Sequence, residues 1–259
     1  MKRWLAGLGL VGLLALGGLV WPVASGYLWG MRGDFSITDT TYDRGALRRD
    51  LATAGLALGD EAHVRLFKRE HLLELWLRPA GAARYALFRS YEICTYSGQL
   101  GPKLAEGDRQ APEGFYRVAR AQLNPNSRHH LAFNIGFPNA FDSALGRTGS
   151  ALMVHGGCSS TGCYAMTDAR IDEIYAVVEA ALAAGQGVVD VSIFPFRMSE
   201  TALQSEAASP WSPFWRNLKE GADLFDLTGT PPRVAACAGR YVFDGAVLGE
   251  GCTPITGWV

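Results

Sequence analysis

Apolar positions alternate between helical and strand-like spacing along the chain, with polar turns between them. Residues 41–57, "TYDRGALRRDLATAGLA", place Leu47, Leu51, Ala54 and Leu56 near helical spacing, with arginines between them. Strand periodicity follows. "HVRLFKRE" alternates from Val64 to Phe67, "HLLELWLR" alternates Leu73, Leu75 and Leu77, and the charged "KREH" between them predicts a hairpin turn. A third strand runs from Tyr85 to about Thr95. Further strands are expected at Phe115 to Val118, near Leu131 to Ile135, and in "GSALMVHGG", which ends at His155. "TDARIDEIYAVVEAALAAGQG" is the clearest helix. Thr167 or Asp168 would cap it, Ile171, Ile174, Val177, Val178 and Ala181 form its apolar face, and Gly185 would end it. "VVDVSIFPF" reads as a buried strand. Two short helical patches follow, Thr201 to Glu206 and Phe214 to Leu224, and then a tail containing Pro, Gly and Cys. The strands meander without a βαβ rhythm, which argues for antiparallel pairing and against a doubly wound nucleotide-binding fold. The expected class is mainly β with flanking helices (α+β).

The first thirty residues break this pattern. Lys2 and Arg3 precede an apolar run from Trp4 to Val20, then Pro22 and the small residues Ala24, Ser25 and Gly26, and no further charge appears before Arg32. A basic start, an apolar middle and small residues after it describe a secretory signal or a retained anchor over residues 1–25. Either one puts the rest of the chain outside the cytoplasm, because the basic end stays inside. The expected organisation is then a helical segment at 26–58, a main domain at 59–200 and an extension at 201–259 packed on it. The membrane would be met only through the N-terminal segment. The 259 residues carry 24 Lys and Arg against 25 Asp and Glu, so there is none of the basic excess that nucleic-acid binding needs.

Export makes the five cysteines informative. An odd number leaves at least one thiol free or paired outside the chain. Cys237 and Cys252 flank a short Gly-rich stretch and read as a local bridge. Cys94, in an apolar strand, reads as core. Cys158 and Cys163 lie in "VHGGCSSTGCYAM". There a strand ends at His155, Gly156 and Gly157 allow a reversal, and Gly162 allows an unusual backbone angle just before Cys163. Unpaired N–H groups in such a turn would lower the thiol pKa and hold an oxyanion, and His155 would take the thiol proton. Two rival readings stay open: a Cys158–Cys163 disulfide, and a metal site using His155, Cys158 and Cys163 with His129 or His130. The spacing fits no common zinc pattern. Lys103, Arg109 and Arg147 are candidates for holding substrate carboxylates. Tyr164 would shape the site or pack, and Asn124, Asn126 and Asn139 read as turn formers.

"HGGCSSTGCYAM" resembles the active-site motif of the YkuD-type L,D-transpeptidase family: a histidine, then serine, one variable residue, glycine and the nucleophilic cysteine, here His155, Ser160, Thr161, Gly162 and Cys163. "SGQLGPKLAEGDRQAPEGFY", "LNPNSRHHLAFNIGFPNAFD" and "FPFRM" extend the resemblance, closest to the YafK-like branch, over roughly residues 60–200. This chain departs from the broader family in three ways. The gap from histidine to cysteine is shorter, Thr161 stands where a second histidine is common, and Tyr164-Ala165 replaces an apolar residue and arginine. The resemblance implies a β-sandwich or barrel catalytic domain with helical additions, working in the periplasm on peptidoglycan stem peptides. Cys163 would attack a carbonyl of meso-diaminopimelate with His155 as base, and a backbone carbonyl near Gly157 or Ser160 would orient the imidazole. An amine or water would resolve the thioester, the latter also releasing a wall-attached lipoprotein. No metal or organic cofactor is implied. The alternatives are a non-catalytic wall-binding protein on the same fold and a metal-dependent hydrolase.

Overall fold

The computed structural model describes residues 42–245 and 250–257, so the signal or anchor expected at 1–25 lies outside the described residues. The first helix, α1 (Arg44–Thr53), is capped by the Asp43 side chain and buries Leu47 and Leu51. It ends earlier than the apolar spacing suggested.

The first sheet takes β1 (Glu61–Phe67), β2 (Leu72–Arg78), β3 (Ala86–Glu92), β5 (Gly114–Val118) and β10 (Val189–Phe194) in the order β3-β2-β1-β10-β5. The β1–β2 turn is the expected "KREH". The second sheet takes β4 (Thr95–Tyr96), β6 (Leu123–Ser127), β7 (His130–Asn134), β8 (Met153–His155) and β9 (Tyr164–Ala165) in the order β4-β9-β8-β7-β6. The expected third strand is therefore two strands in different sheets, and the chain changes sheet at Ile93 and Cys94. Pairing is antiparallel except for β1 with β10 and β8 with β9, which are parallel. The antiparallel expectation fails at these two junctions: β1 and β10 lie far apart in the sequence, and β8 and β9, though near, are too short for any period to report their direction.

Both faces of the first sheet are covered, and alternate residues of its strands enter different cores. Val64, Leu66, Leu73, Leu75, Leu77, Val191 and Ile193 join Phe133, Val154 and Tyr164 of the second sheet in one core. The apolar face of α3 (Asp168–Ala183), capped by Thr167, closes that core. Phe67, Phe115 and Phe194 turn the other way, into a second core. There they meet Phe141 of α2 (Ala140–Ala144), Leu203 of α4 (Glu200–Ser205), and Trp215 and Leu218 of α5 (Ser212–Thr228). A small sheet of β11 (Val234–Cys237), β12 (Arg240–Phe243) and β13 (Thr253–Pro254) completes this cover, and Cys237 is bonded to Cys252 as expected.

Candidate active site

The parallel pair β8–β9 sets the geometry of the motif. Val154 is level with Tyr164 and His155 with Ala165, so Cys163 is level with Met153. Residues level across a parallel pair face the same side, and alternate residues face opposite sides. Val154 and Tyr164 face the main core. His155 and Cys163 therefore share the other face, one strand across and two residues along. At about 4.8 Å between strands and about 3.3 Å per residue, their Cα atoms stand roughly 8 Å apart.

His155 is 3% exposed, with Nδ1 2.6 Å from the Gly156 carbonyl. A carbonyl only accepts, so Nδ1 carries the hydrogen and Nε2 presents a lone pair. Burial pushes the imidazole pKa below the ordinary histidine range; the Gly156 carbonyl opposes this and the charge of His129 adds to it. The His129 ring lies 4.7 Å from the His155 ring, centroid to centroid. The orienting carbonyl thus belongs to Gly156, next to Gly157, and not to Ser160. Gly156 is required by close packing: a Cβ there would meet Asp168 Oδ1 at 2.6 Å and the His129 carbonyl at 3.0 Å.

Cys163 is a free, half-buried thiol that donates to the Ala151 carbonyl at 3.6 Å. Burial raises its pKa, against a backbone hydrogen bond from Met153 and the nearby charge of Lys103. This corrects the expectation of a thiolate stabilised by unpaired N–H groups. Those groups are taken: Gly162 N–H donates to Ser97 Oγ at 2.8 Å and Cys163 N–H to Ser160 Oγ at 3.0 Å. Burial thus favours the uncharged form of both groups, the imidazole and the thiol on one strand face. Gly162 does adopt the expected unusual backbone, with φ +101°.

Cys158 is bonded to Cys94, with Cα atoms 5.3 Å apart. This removes the Cys158–Cys163 bridge, takes Cys94 out of the plain core, and deprives the His155–Cys158–Cys163 ligand set of one sulfur.

The other expected residues divide. Ser160 does not reach His155; its hydroxyl donates to the Cys163 carbonyl at 2.7 Å. Lys103 is buried and paired with Asp108, yet close enough for its charge to act on Cys163. Arg109 is exposed in the loop preceding β5, with φ +55°. Two assignments are corrected. Arg147 is buried, paired with Asp142 at 2.8 Å and stacked over Phe141 and Phe214, so it faces the second core rather than a substrate. Tyr164 is fully buried and its hydroxyl donates to the Pro112 carbonyl at 2.7 Å. It packs and does not line the site.

Sequence reasoning missed what holds the loop of residues 97–113. Lys68, in the β1–β2 turn, pairs with Glu113 at 3.0 Å with both side chains fully buried. Glu113 also accepts from Gly101 N–H at 2.7 Å and from the Trp215 indole at 2.8 Å. The adjacent charges of "KREH" marked a turn and gave no sign that the first of them is internal.

Comparison with known proteins gives several matches. Residues 73–223 match the YkuD model, described as the L,D-transpeptidase catalytic domain. YafK of Escherichia coli strain K12, provisionally named an L,D-transpeptidase, is 49% identical over 185 residues, covering 71% of this chain and 74% of that protein. YafK of Escherichia coli O157:H7 matches to the same extent. Among solved structures, the helical cell shape determining protein Pgp2 from Campylobacter jejuni is similar at 19% identity and a TM-score of 0.42, covering 68% of this chain and 67% of that one.

Proposed function

Because the chain belongs to the L,D-transpeptidase (YkuD) family, we propose that it is an exported cysteine acyl-transferase acting on peptidoglycan stem peptides at meso-diaminopimelate. The observation that carries this reading is a free Cys163 on the same strand face as a His155 whose Nδ1–H is held by the Gly156 carbonyl. His155 Nε2 takes the thiol proton as Sγ attacks the carbonyl carbon. The tetrahedral intermediate then collapses, and the imidazolium returns the proton to the leaving amine, leaving a thioester on Cys163. A second acceptor, an amine or water, gives its proton to His155 and its nucleophilic atom to the acyl carbon, which restores the thiol. An amine acceptor makes a cross-link. Water makes a cut, and with a wall-attached lipoprotein as leaving group the cut releases it.

Export through residues 1–25 and a periplasmic location belong to this proposal. In this proposal Lys103 and Arg109 hold substrate carboxylates, and the charge of Lys103 acts on Cys163. The test incubates the chain from residue 26 onward, wild type and Cys163→Ala, with purified wall sacs carrying attached lipoprotein, and reads the products by mass spectrometry. Lipoprotein release or peptide trimming that the variant lacks supports the hydrolase, and new diaminopimelate cross-links that it lacks support the transpeptidase. Identical products from both proteins contradict the catalytic proposal and favour a wall-binding role.

A further inference from the structure

One short stretch, Cys94 to Ser97, grips the nucleophile loop at both ends. Cys94 is bonded to Cys158 near the start of the loop. Thr95 and Tyr96 pair with Ala165 and Tyr164 beyond its end. Ser97 reaches into the turn itself. Its Oγ accepts the Gly162 N–H at 2.8 Å and lies 2.8 Å from Ser160 Oγ. Ser160 Oγ accepts the Cys163 N–H at 3.0 Å and donates its one hydrogen to the Cys163 carbonyl at 2.7 Å. A hydroxyl has one hydrogen and two lone pairs. Ser160 has spent its hydrogen, so the Ser97 hydrogen goes to Ser160 Oγ. Ser97 is thus the outer member of a chain that ties both N–H groups flanking the Gly162–Cys163 peptide to a neighbouring strand.

We propose that Ser97 is a positioning residue for the nucleophile. It touches neither Cys163 nor substrate, and acts through Gly162 and Ser160 to hold Sγ in line with His155. The proposal rests on Cys163 being the nucleophile. Gly162 is buried and left-handed at φ +101°, so its N–H needs a specific acceptor. The Gln110 side chain does not supply one. Its amide nitrogen donates to the Gln99 and Gly101 carbonyls, and its oxygen accepts from Gln99 N–H. Without Ser97 the turn keeps its covalent staple and strand pairing but loses the bonds that set the orientation of Cys163. Misplacement of a reacting atom by about 1 Å costs as much as ~100-fold in rate.

The test compares wild type, Ser97→Ala, Ser97→Thr and the double variant Ser97→Ala/Ser160→Ala on soluble disaccharide-peptide wall fragments. Ser97→Ala is expected to lower kcat by roughly 10-fold or more with KM within about threefold, the pattern of a lost alignment rather than lost binding. Ser97→Thr, which keeps the hydroxyl, should restore kcat to within about threefold, and the double variant should be little worse than the poorer single because the two serines share one network. A kcat loss under about threefold in Ser97→Ala, or an equal loss in Ser97→Thr, overturns the proposal. Cys163 alkylation by iodoacetamide across pH is read in parallel, because it needs no wall substrate. Should wild type turn over no fragment, the acyl-transferase reading fails on its own, and alkylation still decides on Ser97. An altered pH–rate curve in Ser97→Ala but not Ser97→Thr sustains the proposal, and superimposable curves overturn it. If Ser97→Ala fails to fold by melting temperature, Ser97→Gly, which also lacks the hydroxyl and adds no thiol, takes its place under the same thresholds.

Discussion

His155 and Cys163 carry shifts of opposite sign, and both shifts favour the uncharged form. Burial lowers the imidazole pKa and raises the thiol pKa. A histidine with a lowered pKa stays a competent base to more acid pH. The acid limb of kcat/KM should therefore fall below the ordinary value of about 6.5, and a limb at or above that value contradicts the assignment. A raised thiol pKa predicts that Cys163 alkylation rises through a midpoint above the usual value of about 8.5, and a midpoint near 5 or 6 would show a preformed ion pair instead. These two residues were legible in the sequence because their chemistry sits in one short motif. Their supports were not. Cys94 lies 64 residues before Cys158, and Ser97 lies 65 before Gly162. A serine after a short strand has no local signature of such a contact. His129 stood out in the sequence only as a metal ligand, although its ring packs on His155.

Among the elements, the long periodic ones were readable and the short ones were not. The sixteen residues of α3 announce themselves by cap and apolar face. β9 has two residues and no period, yet it sits between β4 and β8 and carries Cys163, the proposed nucleophile, at its entry. β6 reads as polar turns because it is the sheet's edge strand, where Pro125 is tolerated. β1 pairs with both β2 and β10, with both of its faces buried, which makes His63 sensitive to pH. His63 is 1% exposed and its Nδ1–H donates to the Asp190 carbonyl. Burial and the charge of Arg65 lower its pKa to about 3. The unfolded chain then binds the extra proton first, so stability falls as pH drops from about 6.5 toward 3, by an amount of order 3–5 kcal/mol. Urea unfolding of wild type should lose stability over that window, and His63→Phe should lose clearly less. Parallel pH profiles for the two would refute this source of acid sensitivity.

At the level of the whole molecule, the C-terminal segment covers the second face of the first sheet and steadies the site from behind. Trp215 is buried in the second core and its indole holds Glu113, which in turn holds Lys68 and the loop of residues 97–113. Trp215→Ala should cost about 3–5 kcal/mol of stability by calorimetry or denaturant titration. A cost under about 1 kcal/mol would mean that the extension is dispensable to the fold. The Cys94–Cys158 bond closes a long loop, so Cys94→Ser should cost about 2–4 kcal/mol, checked by denaturant titration under oxidising conditions. The central claim is that the enzyme works through an acyl group on Cys163. Acid-quenching the protein during reaction with disaccharide-peptide fragments, and mapping the adduct by mass spectrometry, tests it most directly. We expect a stem-peptide acyl adduct on Cys163 that hydroxylamine removes and that Cys163→Ala lacks. Turnover with an adduct on another residue, or turnover that persists in Cys163→Ala, would contradict it.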